Sequence, residues 1–174
     1  MADYSIRNII NKIQSGEIRI PSFQRDYVWG YDDVAFLIDS LYKGFPIGSV
    51  LFWRTNERLH TEKQLGNYIL PEPQKNYPID YVLDGQQRLT SLFSIFQTEL
   101  SPEYTNDMGI YFIIDELDTI QKSRFVPLTK EDADPKKYFP ISVLFDSVLY
   151  RKATELYDDN IKIKLDKLQE TFKE

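Results

Sequence analysis

Residues 79–98 read IDYVLDGQQRLTSLFSIFQT, and their pattern changes from strand to helix within one turn. The leading apolar run predicts a strand, Asp84 and Gly85 predict a tight turn, and the apolar residues after it predict a helix that begins near Gln86. The first N–H groups of such a helix attract anions, and Arg88 adds a planar fork of donors suited to phosphate oxygens. The stretch therefore predicts an anion-binding turn.

The two glutamines of this turn, Gln86 and Gln87, can hydrogen-bond a ligand or orient a water molecule. The residues by themselves also leave a second interpretation open. In that interpretation the segment is an ordinary turn with a solvated arginine and two amides on the surface.

A second polar segment, PSFQRDYVW at residues 21–29, has neither helical nor strand periodicity and predicts a structured loop. Gln24 and Arg25 stand among aromatic residues here, a combination that can grip phosphate and stack on a base. The alternative is that the aromatic side chains form a small core and that Arg25 pairs with Asp26 or Asp32.

Helices are predicted on either side of this loop. Isoleucines at helical spacing behind Ser5 predict a first helix, and the same spacing predicts a second helix from Asp32 that ends at Gly44. An apolar run predicts a buried strand over residues 47–53. The polar, proline-bearing residues 55–77 predict a long insertion or a hairpin on the surface.

Residues 101–174 predict a β-hairpin and a helical extension. Strands are expected at residues 110–115 and 124–126, with helical structure beyond them. The last apolar positions keep helical spacing without a closing glycine or proline, which indicates a helix cut from a longer parent chain. We expect a core of residues 1–100 that the extension completes.

Composition excludes several classes of function. With 42% hydrophobic residues, the 174-residue chain can bury a core, and 21 basic against 27 acidic residues give a net charge of -6, which denies it nucleic-acid binding by charge alone. It has no cysteine and one histidine, His60, so thiolate and histidine-rich metal sites are excluded. Neither a membrane span nor a signal pattern occurs, so we expect a cytoplasmic protein.

Other catalytic motifs are missing or weak. The glycine patterns of P-loop and Rossmann nucleotide sites do not occur. The acidic cluster at residues 115–118 is typical of a solvated face. Asp134 and Lys136 have the Asp-x-Lys spacing of many metal nucleases, but the proline between them argues against a central strand. We predict no metal site made of protein side chains and no nuclease chemistry within the chain.

Three blocks of the sequence together resemble the N-terminal domain of GmrSD-type modification-dependent restriction endonucleases. They are IPSFQRDYVW at residues 20–29, LIDSLYKGFPIG at 37–48 and LDGQQRLTSL at 83–92. That domain is similar to the ParB and sulfiredoxin fold, an α+β architecture with a small mixed sheet flanked by helices. In that fold a Gly-x-x-Arg turn at a helix N-terminus binds nucleotide phosphates.

The resemblance implies roles for particular residues. It places the phosphate-side turn at residues 85–88, and it places Ser40 and Gly44 at the corner between the second helix and the next strand, which helps to shape the pocket. The nucleotide-binding set that it implies is Gln24, Arg25, Ser40, Gly44, Gly85, Gln87 and Arg88. Hydrolysis needs a group that positions a water molecule, by orientation and electrostatics, and the catalytic candidates are Asp84, Gln86, Gln87 and Arg88. We expect Gln24 and Arg25 to face the same cavity as Arg88.

The ligand that the resemblance implies is a nucleoside triphosphate with Mg²⁺, and NTPase activity is favoured for this domain. Its implied role is to gate cleavage of modified or foreign DNA by a separate C-terminal nuclease module in a type IV restriction system. Two other classes stay open. One is a non-catalytic DNA-sensing module that uses the same arginines on DNA phosphates, and the other is a scaffold whose turn has lost its ligand.

Overall fold

The computed structural model of the protein describes residues 5–73, 78–103, 107–115 and 119–173. In chain order the elements are α1 (Ile6–Gln14), β1 (Ile18–Pro21), α2 (Tyr31–Tyr42), β2 (Leu51–Thr55), β3 (Glu62–Lys63), β4 (Ile79–Asp84), α3 (Gln86–Phe96), β5 (Met108–Ile113), β6 (Phe125–Thr129), β7 (Tyr138–Pro140), a 3₁₀ turn (Ile141–Val143), α4 (Ser147–Thr154) and α5 (Asp159–Lys173). The α+β class, with a small mixed sheet, flanking helices and a helical C-terminal extension, is confirmed.

The chain divides into two compact units. Unit 1 is Met1–Val28 with Gly48–Thr105, and unit 2 is Trp29–Ile47 with Asn106–Glu174. Helix α2 therefore belongs to the same unit as the C-terminal part of the chain, although it precedes most of unit 1 in sequence. None of the described helices is both long and apolar enough to cross a membrane.

Unit 1 contains a four-stranded mixed sheet in the order β2-β4-β1-β3. Strands β1 and β4 are parallel, and β2 and β3 pair with them as antiparallel edges. The helices α1 and α3 contact each other. The core of the unit includes the buried side chains of Ile10, Ile13, Ile18, Ile20, Ile79, Val82, Leu89 and Phe93.

Helix α1 is bounded by the residues that the sequence indicates. The Ser5 hydroxyl accepts a first-turn N–H at 3.3 Å. Gly16 closes the helix with φ +74°, and the N–H groups of Gly16 and Glu17 donate to the carbonyls of Ile13 and Lys12 at 3.0 and 2.9 Å. These are the two bonds of a Schellman motif, and they satisfy carbonyls that the helix end leaves open. The predicted first helix is confirmed.

In unit 2, α2 packs against a three-stranded antiparallel sheet in the order β6-β5-β7, and α5 packs against α2. Its centre is a set of edge-on or tilted aromatic contacts with ring centroids 5.4 to 6.1 Å apart, formed by Tyr42, Phe112, Phe125 and Phe172. The predicted second helix and the predicted hairpin are both confirmed, since α2 ends before Gly44 and β5 pairs with β6.

The predicted buried strand over residues 47–53 is wrong in both its bounds and its burial. The strand begins at Leu51, and most of its side chains are exposed because β2 is an edge of the sheet. Gly48 has φ +82°, a left-handed conformation that interrupts extended backbone. The apolar run was therefore a poor guide to burial.

The predicted surface insertion at residues 55–77 is on the surface only in part. It supplies the edge strand β3, and Leu65 and Tyr68 are buried. The Tyr81 hydroxyl donates to Glu62 at 2.6 Å and accepts the Leu59 N–H at 2.8 Å, which ties this segment to β4. Burial and the bond to Glu62 raise the pKa of Tyr81 to about 12. Residues 74–77 of the insertion lie outside the described part.

The helical extension differs from its prediction in two details. Residues 138–140 form a third strand that pairs with β5, where the sequence predicted only helical structure. The last stretch is two helices, α4 and α5, because Asp146 begins one by accepting the N–H groups of Val148 and Leu149, both at 2.9 Å, and residues 155–158 separate it from the next.

Candidate functional site

The turn at residues 84–88 joins β4 to α3 through a glycine that no other residue can replace without strain. Gly85 has φ +87°, in the left-handed region that side chains disfavour. A Cβ added there would lie 3.2 Å from both the Val50 Cα and the Arg88 Nη2. The predicted strand, glycine turn and helix starting at Gln86 are confirmed.

The N-terminus of α3 receives no cap from a side chain. Its N-cap is Gly85, and no acidic residue lies in its first turn. In contrast, Ser5 caps α1 and Asp146 caps α4 with side-chain oxygens. The positive end of the α3 dipole is therefore not offset by a capping side chain or by a carboxylate of its own first turn, which is the arrangement that favours an anion there.

Arg88 lies directly at this helix end. Its Nη2 donates to the Ser49 carbonyl at 2.9 Å and lies 3.5 Å from an Asp84 carboxylate oxygen. The Arg88 side chain is 17% exposed and that of Asp84 is 73% exposed. Gly48 leaves room for the guanidinium, since a Cβ on Gly48 would collide with its Nη1. The contacts of this guanidinium thus include a neutral carbonyl and a solvated carboxylate.

Gln87 has a positioning role that its sequence position did not reveal. Its Oε1 accepts the Val28 N–H at 2.9 Å, and its Nε2 donates to the Asp26 carbonyl at 3.0 Å. Both the oxygen and the nitrogen of the Gln87 amide therefore bond the 21–29 loop. The interpretation of Gln86 and Gln87 as surface amides is wrong, because they are only 5% and 6% exposed.

Among the residues that the structure describes, Gln86 differs from its neighbour because its buried amide oxygen has no hydrogen-bond partner. Within the described part of the chain, the Oε1 of Gln86 and the Oγ1 of Thr90, one turn further along α3, are buried without a hydrogen bond. Most buried polar atoms in proteins are paired, so an unpaired acceptor at a helix N-terminus is an unusual feature. Of the two glutamines, only Gln86 keeps an uncommitted amide oxygen.

The 21–29 loop is structured, as predicted. The Gln24 Nε2 donates to the Leu83 carbonyl at 2.9 Å, directly before the turn, and the Tyr27 hydroxyl bonds the Ser91 hydroxyl at 2.9 Å. These bonds bring Gln24 and the turn together in unit 1, although 59 positions separate Gln24 from Leu83.

Arg25 is exposed on this loop and makes no hydrogen bond or ion pair within the described residues of unit 1. The predicted alternative pair with Asp26 is not formed, because Asp26 pairs with Lys63 at 2.7 Å. The loop is therefore held firmly on both sides of an exposed cation. That Arg25 faces the same cavity as Arg88 stays a prediction.

Ser40 and Gly44 belong to unit 2, where each has a local role in α2. The Ser40 hydroxyl donates to the Phe36 carbonyl at 2.8 Å. Gly44 has φ +68° and closes the helix, with its N–H on the Leu41 carbonyl at 3.0 Å. Their role in shaping a nucleotide pocket stays a prediction.

No cluster of three histidine or acidic side chains that could hold a metal ion occurs in the described ranges. Glu116 and Asp118, which belong to the acidic cluster noted in the sequence, lie outside those ranges. His60 is exposed, as expected of a surface residue.

Comparison with protein families agrees with the resemblance seen in the sequence. The family model of the GmrSD restriction endonuclease N-terminal domain matches residues 6–174. The chain belongs to this family.

A curated relative of this GmrSD-family chain is an uncharacterised protein of Methanocaldococcus jannaschii. The two are 26% identical over 190 aligned positions, which cover 90% of this chain and 32% of the relative. The chain thus spans about a third of the length of the relative that it matches.

Sequence reasoning missed the part that Gly48 and Ser49 play at the turn. The contact between Ser49 and Arg88 bridges 39 positions of sequence, and neither contact leaves a local pattern. One signal was available, since a glycine inside an apparent strand often marks a close approach of another group to the backbone.

Proposed function

We propose that this domain binds a nucleoside triphosphate at the 84–88 turn and acts in the cytoplasm as the regulatory part of a type IV, modification-dependent restriction system. Nucleotide state would gate DNA cleavage by a separate nuclease module. The observation that carries the proposal is the α3 N-terminus, which has a glycine cap, no side-chain cap and the Arg88 guanidinium beside it.

Phosphate is the ligand group that this chemistry suits best. The helix dipole and the first-turn N–H groups favour a compact anion, and the guanidinium fork can donate two parallel bonds to its oxygens. Arg25 supplies a second cation on a loop that Gln24 ties to the end of β4. Mg²⁺ commonly binds one or two carboxylates together with substrate phosphates. The exposed Asp84 carboxylate fits that role.

We propose different roles for the four catalytic candidates on the basis of their contacts. Gln87 is engaged at both ends of its amide, so we assign it to positioning of the 21–29 loop. Gln86, with an unpaired amide oxygen, and Asp84 are the groups available to orient an attacking water molecule. Arg88 would stabilise the negative charge of the transferred phosphoryl group.

Equilibrium binding of labelled ATP, GTP, CTP and UTP, each with MgCl₂, tests the proposal. We expect at least one to bind, and Arg88→Ala to weaken binding by about 1–3 kcal/mol because a charge-assisted bond is lost. Arg151→Ala, which removes an exposed charge on α4, is the matched control and should bind as the unmodified chain does. Absence of binding, or equal affinity in the Arg88 variant, would contradict the proposal.

DNA binding by the same arginines is the second candidate. The observation that favours it is the exposed Arg25, which lies two positions from Phe23, itself 68% exposed. A cation and an aromatic ring at an exposed loop suit a phosphate backbone and a stacked base. Gel-shift assays at several salt concentrations separate this candidate from the first, because phosphate contacts weaken steeply with salt. A plasmid-nicking assay should find that the isolated chain leaves DNA uncut.

A further inference from the structure

Side chains in the first turn of α3 bond two segments of unit 1. One segment leads to unit 2, and the other returns from it. The chain leaves unit 1 after Val28 and re-enters it at Gly48. We name residues 26–28 the first crossing and residues 48–49 the second crossing. Two consecutive residues, Gln87 and Arg88, each hold one of them.

The first crossing is held by neutral groups on both sides. The Gln87 amide bonds the Val28 N–H and the Asp26 carbonyl, at 2.9 and 3.0 Å. The Tyr27 hydroxyl bonds the Ser91 hydroxyl. The Ser91 hydroxyl in turn donates to the backbone carbonyl of Gln87 at 2.8 Å. Because each partner is already satisfied and uncharged, an arriving anion has little to gain by displacing any of them.

The second crossing is held by a charge. The Arg88 Nη2 donates to the Ser49 carbonyl at 2.9 Å, and Gly48 lies against the same guanidinium. This Nη2 also lies 3.2 Å from the position of a Cβ on Gly85, so the guanidinium occupies the space that the glycine opens at the helix end. A ligand phosphate at that helix end would therefore meet the group that holds the second crossing.

A phosphate oxygen is a stronger acceptor for a guanidinium than a peptide carbonyl is, because the bond to phosphate joins two charged groups. Phosphate thus competes with Ser49 for Arg88, and it does not compete for Gln87. The two crossings respond differently to the same ligand.

We propose that Arg88 exchanges the Ser49 carbonyl for a phosphate of the bound nucleotide, which releases the second crossing while Gln87 keeps the first crossing in place. The proposal rests on nucleotide binding at the 84–88 turn and adds how that binding is transmitted. The segment Trp29–Ile47, which carries α2, would be held on its C-terminal side from Ser49 without nucleotide, and only from Leu51, where β2 pairs with β4, with nucleotide bound. Binding of the nucleotide would therefore change how the unit 2 segment Trp29–Ile47 is attached to unit 1.

Nuclear magnetic resonance of the ¹⁵N-labelled chain tests the exchange directly. The Val50 amide shares a peptide group with the Ser49 carbonyl, so its ¹⁵N shift reports the bond to Arg88. In titrations with ATP, GTP, CTP and UTP, each with MgCl₂, we expect the Val50 signal to move with the apparent Kd of the nucleotide that binds. The Val28 signal should stay in place, because Gln87 keeps its bond.

Arg88→Lys distinguishes an exchange of partners from simple proximity of the ligand. Lysine keeps the charge and lacks the planar fork. The nucleotide-free variant should show its Val50 signal near the position of the nucleotide-bound unmodified chain, and added nucleotide should move it little while the Gly85 signal still shifts. Thermal unfolding with the transition of the unmodified chain would show that the variant is folded.

Limited chymotrypsin digestion provides a second measurement. The exposed side chains of Phe45 and Leu51 flank the second crossing. Nucleotide should speed cleavage there several-fold, and the Arg88→Lys variant should be cut as fast without nucleotide. Binding with an unmoved Val50 signal and unchanged cleavage, or with equal shifts at Val28 and Val50, would overturn the exchange and leave the proposed function standing. Absence of nucleotide binding would overturn both.

Discussion

The two units differ in how fully their buried polar groups are hydrogen-bonded. In unit 2, the buried Asp39 accepts the Arg124 N–H at 2.9 Å and pairs with Lys43 at 2.6 Å, while the buried Thr154 hydroxyl donates within α4. In the described part of unit 1, buried polar atoms without a hydrogen bond remain on Gln86, Thr90 and Arg19. The Arg19 atoms are compensated in part, by ion-pair distances of 3.5 Å to Glu62 and 3.9 Å to Glu72.

This difference supports the proposal that the nucleotide site belongs to unit 1. A scaffold gains from satisfying every buried polar group, since an unpaired one costs free energy of folding. Two of the unpaired groups, on Gln86 and Thr90, belong to α3, the helix that begins at the candidate site. Departures from otherwise consistent packing are expected at functional sites, and the two that lack even an ion-pair partner are one turn apart on α3.

The largest expected change in the free energy of unfolding tests whether the aromatic cluster is the core of unit 2. Phe125 contacts three aromatic rings, and replacement by alanine should destabilise the protein by about 3–5 kcal/mol through lost burial and a cavity. Denaturant unfolding measures the change. Phe36→Ala, on the exposed face of α2, should cost about 0.5 kcal/mol or less. Equal losses in the two variants would contradict the assignment of the aromatic cluster as the core.

The next effect tests the contrast between the two neighbouring glutamines of the turn. Gln87→Leu leaves the Val28 N–H and the Asp26 carbonyl without partners and should cost about 1–3 kcal/mol. Gln86→Leu replaces a buried acceptor that has no partner with an apolar group of similar size, and should leave the free energy of unfolding unchanged or raise it. The same unfolding measurement on both variants checks this, and the reverse order would refute the structural distinction.

A smaller effect concerns the polar contacts that fasten residues 56–63 to the sheet. Tyr81→Phe removes the hydrogen bonds to Glu62 and Leu59 and should cost about 1 kcal/mol at neutral pH. Because burial and Glu62 raise the pKa of Tyr81 in the folded protein to about 12, the hydroxyl stabilises the fold fully below pH 10, and that stability is lost as pH rises toward 12.

Unfolding at several alkaline pH values measures this dependence. The unmodified chain should lose more stability than Tyr81→Phe between pH 10 and pH 12. Parallel losses in the two proteins would show that Tyr81 ionises no later in the folded state than in the unfolded state.

Local rules account for the features that the sequence predicted well. The capped α1, the glycine-closed α2 and the turn into α3 depend on residues a few positions apart, so their signals are legible in a single sequence. The strand at residues 47–53 was misjudged because apolarity does not distinguish an edge strand from a buried one. β7 has only three residues, too few to show a periodicity of its own.

The candidate site was predictable in its location and not in the roles of its members. Gly85 and Arg88 could be assigned from the turn itself. The commitment of Gln87 to the 21–29 loop depends on contacts 59 and 61 positions away, and adjacent glutamines look alike in sequence. Only packing distinguishes the positioning glutamine from the one with an unpaired oxygen.

The central claim, that the 84–88 turn binds nucleotide phosphate, is tested most directly by a crystal structure of the domain with a bound nucleoside triphosphate. We predict phosphate oxygens within hydrogen-bond distance of the first N–H groups of α3 and of the Arg88 guanidinium, with Gln87 still on the 21–29 loop. A nucleotide bound elsewhere, with Arg88 still on the Ser49 carbonyl and the helix end unoccupied, would contradict the account.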